Sequence, residues 1–272
     1  MPIVVADLAQ EILSAYAHVT PIATPPSSRY SAFDLAAAYA VESGLVRLRR
    51  MAGRRTVGRK VGFANKAMWR LLKLDTLVWA HIYDDTVHES TGGEATLALG
   101  RRWSPRIEPE IVVKLKAPLD HGTTDAAAAL AAVDWLAVGF EINDCLFPDW
   151  KFQPADFVAA FGFHTALVVG TPLAVTPARI PILVDALPRF TLRLFKDGQL
   201  VEEGSGRNSL KSPALCLGEL SGVLARQPGA TTLAAGEIVS TGTLTAAHPI
   251  KAGEVWHAEL SGLDLEALTL RC

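Results

Sequence analysis

The sequence predicts an α+β protein in which a mixed, largely antiparallel sheet follows an N-terminal helical segment. Three observations carry this. Apolar residues recur at helical spacing over roughly the first 50 residues, and strand-like stretches dominate from about residue 55 with helices inserted between them. Regular strand–helix alternation is absent, and no GxGxxG follows a strand, which argues against a dinucleotide-binding fold. The chain accordingly divides into an N-terminal helical cap, 1–54, and a mixed β-rich core, 55–272, expected to form one compact unit.

Val4, Leu8, Ile12 and Leu13 fall on one face of a first amphipathic helix. TPIATPPSS reads as a turn-rich linker. Ser31, followed three residues later by Asp34, resembles a capping box opening a second helix that runs to about Leu48. Arg47, Arg49 and Arg50 suit its C-terminal end. RRTVGRKVGF then reads as a strand, NKAMWRLLKL as a short helix and LVWAHIYDDTV as another strand. IEPEIVVKLK is the clearest strand. TTDAAAALAAVDWLA is Ala-rich and predicts a helix from about Thr124, leading into a buried strand, VGFEIND. FHTALVVG follows, then a hairpin turning on Asp197-Gly198, a helix from about Ser212 to Arg226, and final strands in EIVSTGTLT and EVWHAELSGLDLEALTL.

Composition excludes several functions. Lys and Arg total 26 against 28 Asp and Glu, a formal charge of −2, so no basic excess points to nucleic acid or an anionic membrane. The most apolar stretch, AAAALAAVDWLAVGF, is broken by Asp134 and falls short of a membrane span. Cys145, Cys216 and Cys272 are scattered without CxxC spacing, which suits a reducing cytoplasm. The first residues carry Asp7 and Glu11 and lack the basic start of a secretory signal.

The chemistry concentrates in acidic residues. Glu108 and Glu110 stand two apart in a strand, so both carboxylates face the same way, and each raises the other's pKa unless a cation lies between them. Pro109 cannot donate to a ladder and suggests an edge or mouth position. Glu141 lies in a stretch so apolar that its carboxylate is expected to be buried, a costly arrangement without a compensating cation. Three carboxylates without His or Cys make a hard-oxygen site suited to Mg²⁺ or Mn²⁺. His164 and His81, both amid apolar residues, read first as core histidines, with Asp85 near enough to His81 in sequence to orient a base or a water. GSGRNS lacks the GxSxG pattern of a nucleophile elbow, and Asp156 reads as a helix cap.

GRKVGFANKA, RIEPEI, VGFEINDCLFPDWKF and EIVSTGTLTAAHPIKAGE, in that order, resemble the fumarylacetoacetate hydrolase superfamily, closest to its 2-keto-4-pentenoate hydratase and 4-oxalocrotonate decarboxylase branch. The resemblance spans roughly residues 30 to 271. It implies a mixed β-roll or sandwich catalytic core with N-terminal and inserted helices, and a commonly homo-oligomeric, cytoplasmic enzyme. It also implies Mg²⁺ or Mn²⁺ on Glu108, Glu110 and Glu141, site lysines at Lys60 and Lys151, and a carboxylate-holding turn at Gly242 and Thr243.

The implied activity is a metal-dependent hydratase (a hydro-lyase) converting 2-hydroxy-2,4-dienoates to 4-hydroxy-2-oxo acids. Lys60 or Lys151 would serve as the acid, and Asp85 or His164 as the base. The chain departs from the family pattern at GFANK, which lacks hydroxyl residues, and at AAFGFH, which replaces an Asp-Asn-polar run. Decarboxylation of a 2-oxo dioic acid, hydrolysis of an acylpyruvate and a non-catalytic role therefore stay open as alternatives.

Overall fold

A computed structural model describes residues 3–119, 122–123 and 125–272. The N-terminal segment holds α1 (Val5–His18), a single turn α2 (Pro26–Arg29) and α3 (Leu35–Met51). Leu8 and Ile12 of α1 are buried, whereas Val4 precedes the helix and is exposed. The stretch read as a linker contains α2, because Pro26 at the first helical position needs no N–H partner there. Asp34, not Ser31, caps α3: its carboxylate accepts from the Ala37 N–H at 2.9 Å, and the helix continues three residues past Leu48.

Then come β1 (Thr56–Gly62), α4 (Lys66–Leu72), β2 (Val78–Tyr83), β3 (Val87–Glu89), β4 (Glu94–Thr96) and β5 (Pro105–Leu115). Asn65 caps α4 through the Ala67 N–H. The Ala-rich segment forms only the short α5 (Ala126–Ala131), capped by Asp125; Thr124 lies outside the described residues. The VDWLA portion expected to be helical instead opens β6 (Val133–Asp144). There, strand pairing with β5 from Leu115 down to Pro105 overrides the helical preference of the alanines. Further on lie α6 (Pro154–Ala159), β7 (His164–Val169), β8 (Leu173–Ala174) and α7 (Ile180–Ala186). The hairpin β9 (Thr191–Lys196) and β10 (Gln199–Ser205) follows, then α8 (Pro213–Arg226). The chain closes with β11 (Ile238–Thr243), β12 (His248–Pro249), β13 (Val255–Ser261) and β14 (Leu268–Arg271).

The strands form two mixed sheets. One runs β2-β1-β11-β5-β6-β7-β3, with β12 joined to β5 and β8 to β6; the other runs β10-β9-β13-β14-β4. Pairing is antiparallel except for β1–β11, β3–β7 and β14–β4. β5 is central, which corrects the edge position expected from Pro109. The Pro109 carbonyl accepts from Leu244, where the β11 register shifts, so the side of the strand lacking an N–H faces an irregularity instead of an intact ladder. One apolar cluster fills the space under the sheets and α8. A second joins Leu8, Ile12 and Leu45 of the helices to Phe157 and Phe163 beside β1. No helix among the described residues is long and apolar enough to cross a membrane.

Candidate metal centre and adjoining cavity

Register builds the acidic cluster. Glu108 on β5 lies directly opposite Glu141 on β6, and Glu110, two residues along, shares the face of Glu108. Each of the three offers an oxygen within 4.8 Å of the others. Glu110 and Glu141 are fully buried, while Glu108 is half-buried and reaches the wall of a cavity of about 500 Å³.

Their hydrogen bonds leave a specific gap. One oxygen of Glu110 accepts from the Ser240 hydroxyl and from the Gly242 N–H at 2.8 Å, whereas Oε1 is buried without a partner. A buried, unpartnered carboxylate oxygen in an oxygen-only donor set is what a hard divalent cation would satisfy. Glu141 is held on both sides: His164 Nδ1 stands 2.8 Å from Oε1 and Lys60 Nζ 2.8 Å from Oε2. Asn143 donates to Glu108 at 2.8 Å and to Glu141 at 3.3 Å, and accepts from Lys60 at 3.2 Å.

The charges do not balance among themselves, because one lysine faces three carboxylates. Burial, reinforced by the neighbouring carboxylates, drives Glu110 well above the usual carboxylate range. Burial also pushes Glu108 up to about 7 against the opposing pull of Lys60. Burial acts on Glu141 in the same direction, but the Lys60 charge and the His164 contact outweigh it and hold this carboxyl low. Lys60 is itself raised, since the three carboxylates more than offset its desolvation. A divalent cation would cancel the surplus negative charge, so the residues fit such an ion.

The cavity has chemically distinct walls. Phe63, Phe152, Phe157 and Phe163 form an aromatic side, with Phe152 and Phe163 edge-to-face at 4.7 Å between centroids. Arg106 also lines it, its guanidinium 4.2 Å from the Trp150 ring centre, with no carboxylate at ion-pair distance among the described residues. Glu202, Gly242 and Thr243 line it as well. The Gly242 N–H is committed to Glu110, and the Thr243 hydroxyl donates to the Thr245 carbonyl at 2.9 Å. This turn braces the carboxylates and lines the cavity together.

The structure does not bring every sequence candidate here. Asp85 forms ion pairs with Arg49 and Arg54 and lines a separate cavity of about 490 Å³. His164 lines that second cavity too and touches the acidic cluster only through Glu141, its other nitrogen lying 2.8 Å from the Thr86 hydroxyl. Lys151 is 82% exposed and pairs with Asp149. His81 pairs with the buried Glu42 of α3. Asp156 takes part in the capping box of α6, as its sequence position suggested. Sequence reasoning missed Asn143, although Glu141 and Asn143 are two apart in one strand, and it missed Arg106, which precedes Glu108 by the same interval. Ser240, Glu202 and His248 carried no local signal.

The fumarylacetoacetate (FAA) hydrolase C-terminal family matches residues 80–268. The chain is 30% identical over 201 residues to a 2-hydroxypent-2,4-dienoate hydratase of Pseudomonas putida, covering 74% of this chain and 87% of that one. It is 31% identical over 241 residues to a 4-oxalocrotonate decarboxylase of Pseudomonas sp, covering 89% of each. Among solved structures, the 4-oxalocrotonate decarboxylase from Pseudomonas putida G7, complexed with magnesium and adipate, superposes with a TM-score of 0.86 at 26% identity, covering 98% of this chain and 96% of that chain.

Proposed function

Starting from the premise that the chain belongs to the fumarylacetoacetate hydrolase family, we propose that it is a metal-dependent hydratase converting 2-hydroxy-2,4-dienoates to 4-hydroxy-2-oxo acids. The observation that carries the reading is the acidic trio, with its unpartnered Glu110 oxygen, whose member Glu108 lines a cavity sized for a small acid. Glu108, Glu110 and Glu141 would hold Mg²⁺ or Mn²⁺, which when bound supplies Lewis-acid stabilisation of charge developing on the substrate's C2 oxygen.

The protein's own groups supply the rest. Lys60 keeps a proton at Nζ beside the cluster, fixed by Glu141, by Asn143 and by the Gly162 carbonyl at 3.0 Å. It is the acid that protonates the far end of the dienol, C5, in preference to the exposed Lys151. Its position 4.9 Å from the Phe157 ring centre and the aromatic wall beyond keep bulk water from that proton. Gly242 and Thr243 form the wall against which the substrate carboxylate lies. His164 acts through Glu141 and orients it. The reading extends to a homo-oligomer working in the cytoplasm, a setting that suits the three free cysteines.

One observation favours a second reading. Arg106 offers the cavity a cation without a carboxylate partner among the described residues, which suits the second carboxylate of a 2-oxo dioic acid and hence decarboxylation. Proton NMR of 2-hydroxypenta-2,4-dienoate with protein and Mg²⁺, beside an EDTA control, tests the choice. Metal-dependent appearance of 4-hydroxy-2-oxopentanoate is expected. Its absence, together with CO₂ release from 4-oxalocrotonate, would replace hydration by decarboxylation.

A further inference from the structure

The hydration reading lacks a base: water must lose a proton as it adds to C4, and neither Asp85 nor His164 lines the cavity beside the acidic cluster. The ionisable side chains lining that cavity are Lys60, Arg106, Glu108 and Glu202. Lys60 is a cation bound to Glu141, and Glu108 belongs to the acidic trio. Arg106 is a guanidinium and has no lone pair to offer. Glu202 remains, a carboxylate carried by β10 of the other sheet.

Its surroundings are those of a positioned acceptor. Both oxygens accept from the Ala246 N–H, at 3.2 and 3.1 Å, and His248 Nε2 stands 2.5 Å from Oε2. His248 sits on β12 opposite Ile107 of β5, the residue before Glu108, so the pair is anchored to the strand that carries the acidic cluster. The Glu202 side chain is 32% exposed, open to water from the cavity.

We propose that Glu202, oriented by His248, is the base that activates the added water. The proposal rests on the hydratase reading. Lys60 gives its proton to C5 and is restored by the proton lost from the C2 hydroxyl, so the dienol becomes its tautomer 2-oxopent-3-enoate. Glu202 then takes one proton from water while the water oxygen bonds to C4, and the C3–C4 π pair shifts toward C2 as an enolate. The proton held by Glu202 passes to C3, giving 4-hydroxy-2-oxopentanoate and restoring the carboxylate. His248 is a positioning residue in this scheme.

The test is hydration in D₂O with Mg²⁺, followed by NMR, for the parent protein, Glu202→Gln, Glu202→Ala and His248→Gln. Glu202→Gln is expected to lose hydration by roughly 100-fold or more while still incorporating deuterium at C5 and keeping Mg²⁺-induced thermal stabilisation. Added formate should restore hydration to Glu202→Ala, and His248→Gln should shift the acid limb of the hydration pH–rate profile. Glu202→Gln hydrating within about threefold of the parent, or losing C5 exchange and metal stabilisation along with hydration, overturns the assignment. A parent protein that makes no 4-hydroxy-2-oxopentanoate overturns the hydratase reading itself, and the base with it.

Discussion

Lys60 is one cation set against three carboxylates, and its removal exposes how the cluster is balanced. Lys60→Met should abolish turnover and leave Glu141 with His164 and Asn143 as its remaining neutralising contacts. An unpaired buried charge costs about 3–5 kcal/mol, which urea unfolding in EDTA at pH 8 would measure. A second expectation concerns Glu108, whose pKa is pushed up from 4.5 to about 7. The metal-free native state then holds a proton that the unfolded chain has already released. Stability in EDTA should therefore fall as pH rises from about 4.5 to about 7. Mg²⁺ must displace that proton, so the gain in Tm on adding Mg²⁺ should be larger at pH 8 than at pH 5.5; equal gains would contradict it. At this scale the acidic trio was legible, because two-residue spacing and an apolar context are local signals. The ends of the site were not, because Glu202 and His248 are 46 residues apart and meet only through the pairing of strands in different sheets.

Among the elements, the turn closing β11 matters most to the site. Gly242 has φ +92°, and a Cβ placed there would stand 2.5 Å from the Ala64 Cβ. Gly242→Ala should cost roughly 1–3 kcal/mol of stability through backbone strain. It should also weaken Mg²⁺ binding, because the displaced N–H is the one that braces Glu110. Thermal shift with and without Mg²⁺ separates the two effects. The strand β5 was readable from its alternation of charged and apolar residues, and α8 from Ser212 to Arg226 came out as expected. The start of β6 was not readable. Alanines favour a helix locally, and the long partnership with β5, with β8 pairing at Trp135 and Leu136, draws Val133–Ala137 into the sheet. The true cap of α3 was missed for a smaller reason: Ser31 and Asp34 are both good capping residues, and it is the Asp34 carboxylate that accepts from the Ala37 N–H.

For the molecule as a whole, the helices before residue 54 share an apolar cluster with the cavity's aromatic wall through Phe157 and Phe163. The Tyr39 hydroxyl of α3 also accepts from the Trp79 N–H of β2 at 3.1 Å. Deleting 1–54 would uncover that cluster. The truncated protein is expected to aggregate and bind a hydrophobic dye, whereas a soluble, metal-binding fragment would show the cap to be dispensable. One topological feature reaches beyond the folded state. β11, near the end of the chain, lies between β1 and β5, which are made much earlier. During synthesis Lys60 rides on one incomplete half-sheet and the three glutamates on another, and no backbone ladder runs from β1 to β5 until residues 238–243 leave the ribosome. The Ser240 and Gly242 contacts that brace Glu110 therefore form only once nearly the whole chain has been made, so the acidic trio takes its final arrangement when the last central strand is laid in place.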